Sequence, residues 1–313
     1  MKQAYTYARG GDSTVDQIIS IGCTQHVDLL KAKLGRGLKL FERNGLKINL
    51  EERSDGEFTF FSCCLTGFPD YHQLKDDPQI IIKTYVADII SEIILSHWEA
   101  FLLKNIICEN YYYYGDEEKR TIYTYALQHI NKKANEPRKS VYRLNRKSRI
   151  LRKVLDYLKL NNSIVIDGFI RFRLKEYINE LKDATDKAVD DFLLEREYNE
   201  FIQLLRYFVE IQEPRASMIH VLIDNDGAFK LYDDKMQPVR RDYMGGFLVD
   251  MMDNEINYED ILVSALVTVA PQRITFHCRY NKRYSATIET IKKVFAGRVS
   301  ECSGCELCNP LKN

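Results

Sequence analysis

Three cysteines at intervals of three, Cys302, Cys305 and Cys308, stand in the run "VSECSGCELC". A deprotonated thiol is a soft anionic donor, suited to zinc or to an iron–sulfur cluster. Two-residue spacers let a curled loop turn successive sulfurs toward one centre, and Gly304 permits the positive φ of such a curl. A zinc ion or a cubane wants four protein donors, so three cysteines call for a fourth. "RITFHC" ends in His277 and Cys278, one nitrogen and one sulfur donor. The expected ligand set is Cys302, Cys305 and Cys308, completed by Cys278 or His277. Zinc stands ahead of an iron–sulfur cluster, because Cys308 is followed by Asn309-Pro310 rather than by the usual fourth cysteine. A redox pair and an unligated tail are the competing readings.

A second constellation is basic. Between Lys132 and Lys159 eleven Lys or Arg residues face only Glu136 and Asp156. Arg143, Arg146, Lys147, Arg149, Arg152 and Lys153 could form a phosphate-contacting face, with Tyr142 available for stacking, which makes nucleic-acid binding the alternative function. Residues 180–200 carry eight acidic against three basic side chains, so the two segments could instead neutralise each other. Glu195, Glu197 and Glu200 lack an accompanying histidine and read as a charged outer face. No Gly-rich phosphate loop, Ser/His/Asp pattern or HExxH motif is present. A spatially assembled enzyme site near the ends of the last strands is the third reading.

The bulk numbers constrain these options. The 313 residues are 45% hydrophobic and 29% charged, an ordinary globular balance. Forty-five basic residues match forty-five acidic ones, so no overall field draws the chain to nucleic acid or to a membrane. "ILVSALVTVA" is half the roughly 20 residues a membrane span needs. The long apolar run from residue 80 is interrupted by Lys83, Asp88, Glu92, His97, Glu99 and Lys104. With no signal-peptide pattern at the start, the expectation is a cytoplasmic protein, not a membrane one, whose partner is another protein. Its eight cysteines then serve as thiols or ligands rather than as a disulfide framework. Cys63 and Cys64, in "FTFFSCCLTG", read as core residues of a strand.

The elements that must position these groups fall into three blocks. Residues 1–72 form a small α/β module: a helix in "TQHVDLLKAKLGRGLKLFERNG", with apolar residues at 29, 30, 34, 38 and 41 and a stop at Asn44-Gly45, then two strands around Ser54-Asp55-Gly56, a hairpin signal. Residues 79–213 read as a mostly helical bundle. It begins with one long buried helix over 80–109 and continues through a helix that starts at Asp116. A third helix carries Ile150, Leu151, Val154, Leu155 and Leu158 on one face, and "NNSIVIDG" reads as a strand or extended link. Two further helices are expected, "FIRFRLKEYINELKD" and one from Thr185 onward. In the latter, Leu194, Tyr198, Phe201, Leu205 and Phe208 form the expected core-facing stripe. Residues 215–313 return to a mixed module: strands on either side of "DNDG", a helix in "NYEDILVSALVTVAP", then strand, helix and strand in "RITFHC", "SATIETIKKVFAG" and "RVSEC". Those last two strands should lie parallel, bringing the end of "RITFHC" beside Cys302. The fold class expected is α+β.

One passage carries a family resemblance. "GFIRFRLKEYINEL", "AVDDFLLEREYNEFIQLLRYFVEIQEP" and "IHVLIDNDGAFKLYD" together resemble the YtxC-like family, proteins of endospore-forming bacteria described as sporulation proteins. The likeness is strongest over 168–232, and "ITFH" with "TIETIKKVFAGRV" fits its layout. The resemblance implies a link to sporulation and a cytoplasmic setting, and supplies neither a substrate nor catalytic residues.

Overall fold

This computed structural model describes residues 16–43, 45–67, 77–131, 139–223, 229–239, 258–278, 285–305 and 308. Asp55-Gly56 turns strand β2 (Lys47–Asp55) back onto β3 (Phe58–Gly67), Gly56 supplying a φ of +60°. A strand absent from the sequence reading, β1 (Asp16–Cys23), lies antiparallel to β3, and β4 (Ser163–Val165) joins it in parallel. The sheet order is β2-β3-β1-β4. Helix α1 (Val27–Arg43) buries Leu30, Leu34 and Leu38, residues four apart on one face.

Asp77 caps α2 (Pro78–Ile93) by accepting the Gln79 N–H at 2.9 Å, with Pro78 at the first position, where its missing N–H costs nothing. The long helix then widens into a π turn, Ile94–Trp98, before continuing as α3 (Glu99–Asn110). Helices α4 (Asp116–Ile130), α5 (Lys139–Leu160) and α6 (Ile166–Arg173) follow. Helix α7 runs unbroken over Lys175–Ile211. The helix break expected near residue 184 therefore falls at Leu174 instead. No Gly or Pro interrupts "LKDATDK", and the Thr185 hydroxyl donates to the Leu181 carbonyl within the helix.

The chain divides into two compact units, Met1–Phe192 and Leu193–Asn313. In the second, β5 (Met218–Ile223) pairs antiparallel with β6 (Phe229–Tyr232) and parallel with β7 (Arg273–Cys278), which pairs parallel with β8 (Val299–Glu301). The "DNDG" turn between β5 and β6 lies outside the described residues. Helices α8 (Tyr258–Val269) and α9 (Ser285–Val294) separate the later strands, giving the sheet order β6-β5-β7-β8. The fold is α+β with two mixed sheets, as the sequence implied.

One face of the second sheet carries Ile219, Val221, Ile274 and Phe276 into a core with Leu262, Leu266, Ile291 and Phe295. The end of α7 adds Ile202 and Val209, seven residues apart. The expected stripe is thus displaced. Leu194, Tyr198, Phe201 and Phe208 are exposed, and only Leu205 packs at the margin of the core. Apolar residues surround this part of the helix on more than one side, so its periodicity did not single out the buried face.

Candidate metal centre

Strand alternation fixes the first donor. Ile274 and Phe276 point into the core, so Thr275 and His277 project from the other face of β7. His277 is nevertheless only 4% exposed. Strand β8 lies beside β7 with Ile274 opposite Val299 and Phe276 opposite Glu301. The Cys302 N–H then donates to the Phe276 carbonyl at 2.9 Å, extending the ladder by one bond past the strand and bringing Cys302 alongside His277.

Beyond Cys302 the backbone curls back. Gly304 adopts φ +127°, a conformation that strains any residue with a β-carbon, and its N–H donates to Cys302 Sγ at 3.4 Å. The Cys308 N–H closes a turn on the Cys305 carbonyl at 3.0 Å. The curl brings three sulfurs onto one imidazole nitrogen. His277 Nδ1 lies 3.3 Å from Cys305 Sγ and 3.5 Å from Cys308 Sγ, and the two sulfurs are 3.8 Å apart. With Cys302 included, all four donor atoms fall within 4.8 Å of one another. This His277, Cys302, Cys305, Cys308 cluster could hold a metal ion. Of the two candidates for fourth ligand, His277 is the one whose donor atom reaches the cluster, while the side chain of Cys278 lies outside the described residues.

The electrostatics suit that use. Burial, and then the adjacent Cys302 and Cys305 thiols, push the Cys308 thiol up to about 11. Thiols crowded this closely ionise together only where a cation shares their charge. Burial and the neighbouring His220 hold His277 below the usual histidine range, which favours the neutral imidazole, the form that ligates. His220 is the member of this neighbourhood that the sequence did not reveal. It sits opposite Thr275 on β5, and its Nδ1 lies 2.9 Å from His277 Nε2.

The basic residues of α5 belong to the first unit and mostly face carboxylates. Arg143 bonds Glu92 at 2.8 Å, and Lys147 reaches Asp88 at 2.8 Å and Glu92 at 3.2 Å. Arg149 grips both oxygens of Glu180, and Lys153 meets Glu176 at 2.7 Å. Arg146 is buried against Glu99, whose other bond comes from the Tyr177 hydroxyl at 2.7 Å. Arg152 lines an open cleft of about 700 Å³ with Tyr142, Asp183 and Lys187. The acidic partners come from α2, α3 and α7, so the pairing reaches beyond the 180–200 segment.

An α+β protein with a Cys₃His donor cluster at one sheet edge is thus defined. The chain belongs to the YtxC-like family, whose model matches residues 84–300. That span contains both His220 and His277 and stops just before Cys302. The chain is similar to "Uncharacterized protein YtxC" of Bacillus subtilis (strain 168), 27% identical over 225 residues that cover 72% of this chain and 79% of that protein. No solved structure matches. Among the described residues, no helix is long and apolar enough to cross a membrane.

Proposed function

We propose that this protein binds one zinc ion through His277 Nδ1 and the thiolates of Cys302, Cys305 and Cys308, and that the ion is structural. The observation that carries the reading is the spacing of the donors. Zinc–sulfur bonds of about 2.3 Å and zinc–nitrogen bonds of about 2.0–2.1 Å, at tetrahedral angles, separate sulfurs by about 3.8 Å and sulfur from nitrogen by about 3.5 Å. Among His277, Cys305 and Cys308 the sulfurs are 3.8 Å apart and the sulfur–nitrogen distances are 3.3 and 3.5 Å, with the Cys302 sulfur within 4.8 Å of the other three donors. A cubane places its irons at separate corners and spreads its thiolates further apart than ligands of a single ion. Four protein donors leave no open position for water or substrate, the mark of a structural rather than a catalytic zinc site. The ion would fasten the curl from Cys302 to Cys308 onto the edge of the second sheet.

In the cell, the proposal is a cytoplasmic, sporulation-linked protein that acts by binding a protein partner. The family resemblance supports this role, and a closed metal site supports binding over catalysis. Elemental analysis of protein purified without air tests the metal. About one zinc per chain, without iron or sulfide, is expected. Folded protein free of metal would overturn the reading, and stoichiometric iron with sulfide would replace it by a cluster. Heat-resistant spore counts after deletion of the gene test the cellular role; unchanged counts would remove it.

A further inference from the structure

His277 has two ring nitrogens and, when neutral, one proton to place on them. Only a nitrogen without a proton can bind a metal, so the location of that proton decides whether the cluster is competent. Nδ1 faces the sulfurs of Cys305 and Cys308, whereas Nε2 meets His220 Nδ1 at 2.9 Å. The His220 contact allows two arrangements. If His277 Nε2 donates to His220 Nδ1, the lone pair of His277 Nδ1 points at the sulfurs. If His220 donates instead, His277 must keep its proton on Nδ1, and the cluster loses its nitrogen ligand.

The surroundings favour the first arrangement. His277 is 4% exposed, so its N–H needs a protein acceptor. His220 is half-buried and can leave its own proton on Nε2, the ordinary tautomer of a histidine side chain, with Nδ1 as acceptor. Both residues are fixed by the sheet. His220 stands opposite Thr275 in the parallel register, and the residues flanking it, Ile219 and Val221, are locked in the core.

We infer that His220 is the positioning residue of the site: it accepts the His277 Nε2–H and thereby holds the His277 Nδ1 lone pair toward the three cysteine sulfurs. This rests on the metal reading proposed above and adds to it a partner for the ligand histidine. Such partners set the tautomer and ring angle of ligating histidines, and losing one costs about 10–100-fold in metal affinity. A neutral partner also spares the site further negative charge, since three thiolates and one imidazole around a divalent ion already leave a single net negative charge.

Zinc titration against a chromophoric chelator, on the full chain, tests the inference. His220→Leu removes the acceptor and is expected to weaken zinc binding by about 10–100-fold. His220→Asn places an acceptor oxygen near the position of Nδ1 and is expected to recover most of that loss. Nitrogen-15 NMR of the wild-type protein gives a readout that does not depend on affinity. It should show His277 protonated at Nε2, with a coupling across the hydrogen bond to His220 Nδ1. Wild-type affinity in folded His220→Leu, or a His277 proton on Nδ1, overturns the inference. If His220→Leu fails to fold, the asparagine variant and the wild-type spectrum still decide. A wild-type chain that takes no zinc removes the metal reading itself, whereas the metal-free spectrum continues to report which histidine donates.

Discussion

His277 Nδ1 lies 3.3 Å from the sulfur of Cys305, although 28 residues separate the two in sequence. Strand β7 and the curl after β8 approach independently, one through the core register of a parallel sheet and the other through a glycine-assisted turn. A metal shared between them, as proposed above, would tie the C-terminal curl to the sheet. Its ligands should therefore behave as one unit.

The first prediction concerns that unity. Cys302→Ser, Cys305→Ser and Cys308→Ser should each destabilise the second unit by ~3 kcal/mol or more at saturating zinc, because each breaks the same coordination shell. A double variant should cost little beyond either single one, since one ion cannot be lost twice. Denaturant unfolding with excess zinc measures this. Additive losses would mean that the cysteines act separately.

A second prediction uses the other cysteines. Burial pushes the Cys63 thiol up to about 12 and the Cys23 thiol up to about 11, Asp167 adding to the latter. Both should resist alkylation at pH 8 in the folded protein, while exposed Cys108 reacts. Zinc should protect Cys302, Cys305 and Cys308 but leave Cys108 unchanged. The same shifts set a sign for stability. The folded state holds these protons above the ordinary thiol value of 9.0, so the unfolded state releases them first. The contribution is complete below pH 9 and is lost as pH rises toward about 12. A melting temperature that rises over this range would contradict it.

How much of this was legible in the sequence depends on the element. "RITFHC", the helix after it and "RVSEC" declared themselves by period, and from them the approach of the strand end, Cys278 or His277, to the cysteines could be anticipated, without a choice between the two. Strand β1 did not. Ile18 and Ile19 are adjacent and both buried, and a bulge interrupts the register between Gln17 and Ile19, so no alternation survives to be read. His220 was hidden for another reason. Its strand was recognisable, but nothing local states that β5 lies beside β7 in a register placing His220 next to His277. The α7 stripe misled because Phe201 and Phe208 have the right spacing for a core yet lie one position from Ile202 and Val209, which occupy it.

Buried charge in the first unit makes a third prediction. Arg146 and Glu99 are 8% and 10% exposed at the side chain, and Arg146 also donates to the Ile130 carbonyl at 2.7 Å. Burial, with the Glu99 carboxylate beside it, holds the Tyr177 phenol well above its usual range, so the hydroxyl stays a donor. Glu99→Ala should cost about 3–5 kcal/mol by leaving a buried guanidinium uncompensated. Glu99→Ala combined with Arg146→Met should cost less than the two single variants summed. Equality with the sum in denaturant unfolding would mean that the pair is not coupled.

A fourth prediction tests the approach of α1 to α2. A β-carbon on Gly37 would come within 1.7 Å of the Tyr85 hydroxyl, itself bonded to the Lys33 carbonyl at 3.1 Å. Gly37→Ala should therefore destabilise the first unit by about 1–3 kcal/mol. In a Tyr85→Leu background, with the clashing atoms gone, the same change should cost much less. An undiminished cost would place the effect in the backbone rather than in this contact.

X-ray absorption at the metal edge of the purified full chain tests the central claim most directly. A zinc edge is expected, with three sulfur neighbours at about 2.3 Å and one nitrogen at about 2.0 Å. Both shells should be altered in His277→Ala. An iron edge with a short iron–iron distance, or zinc surrounded only by oxygen and nitrogen, would contradict it.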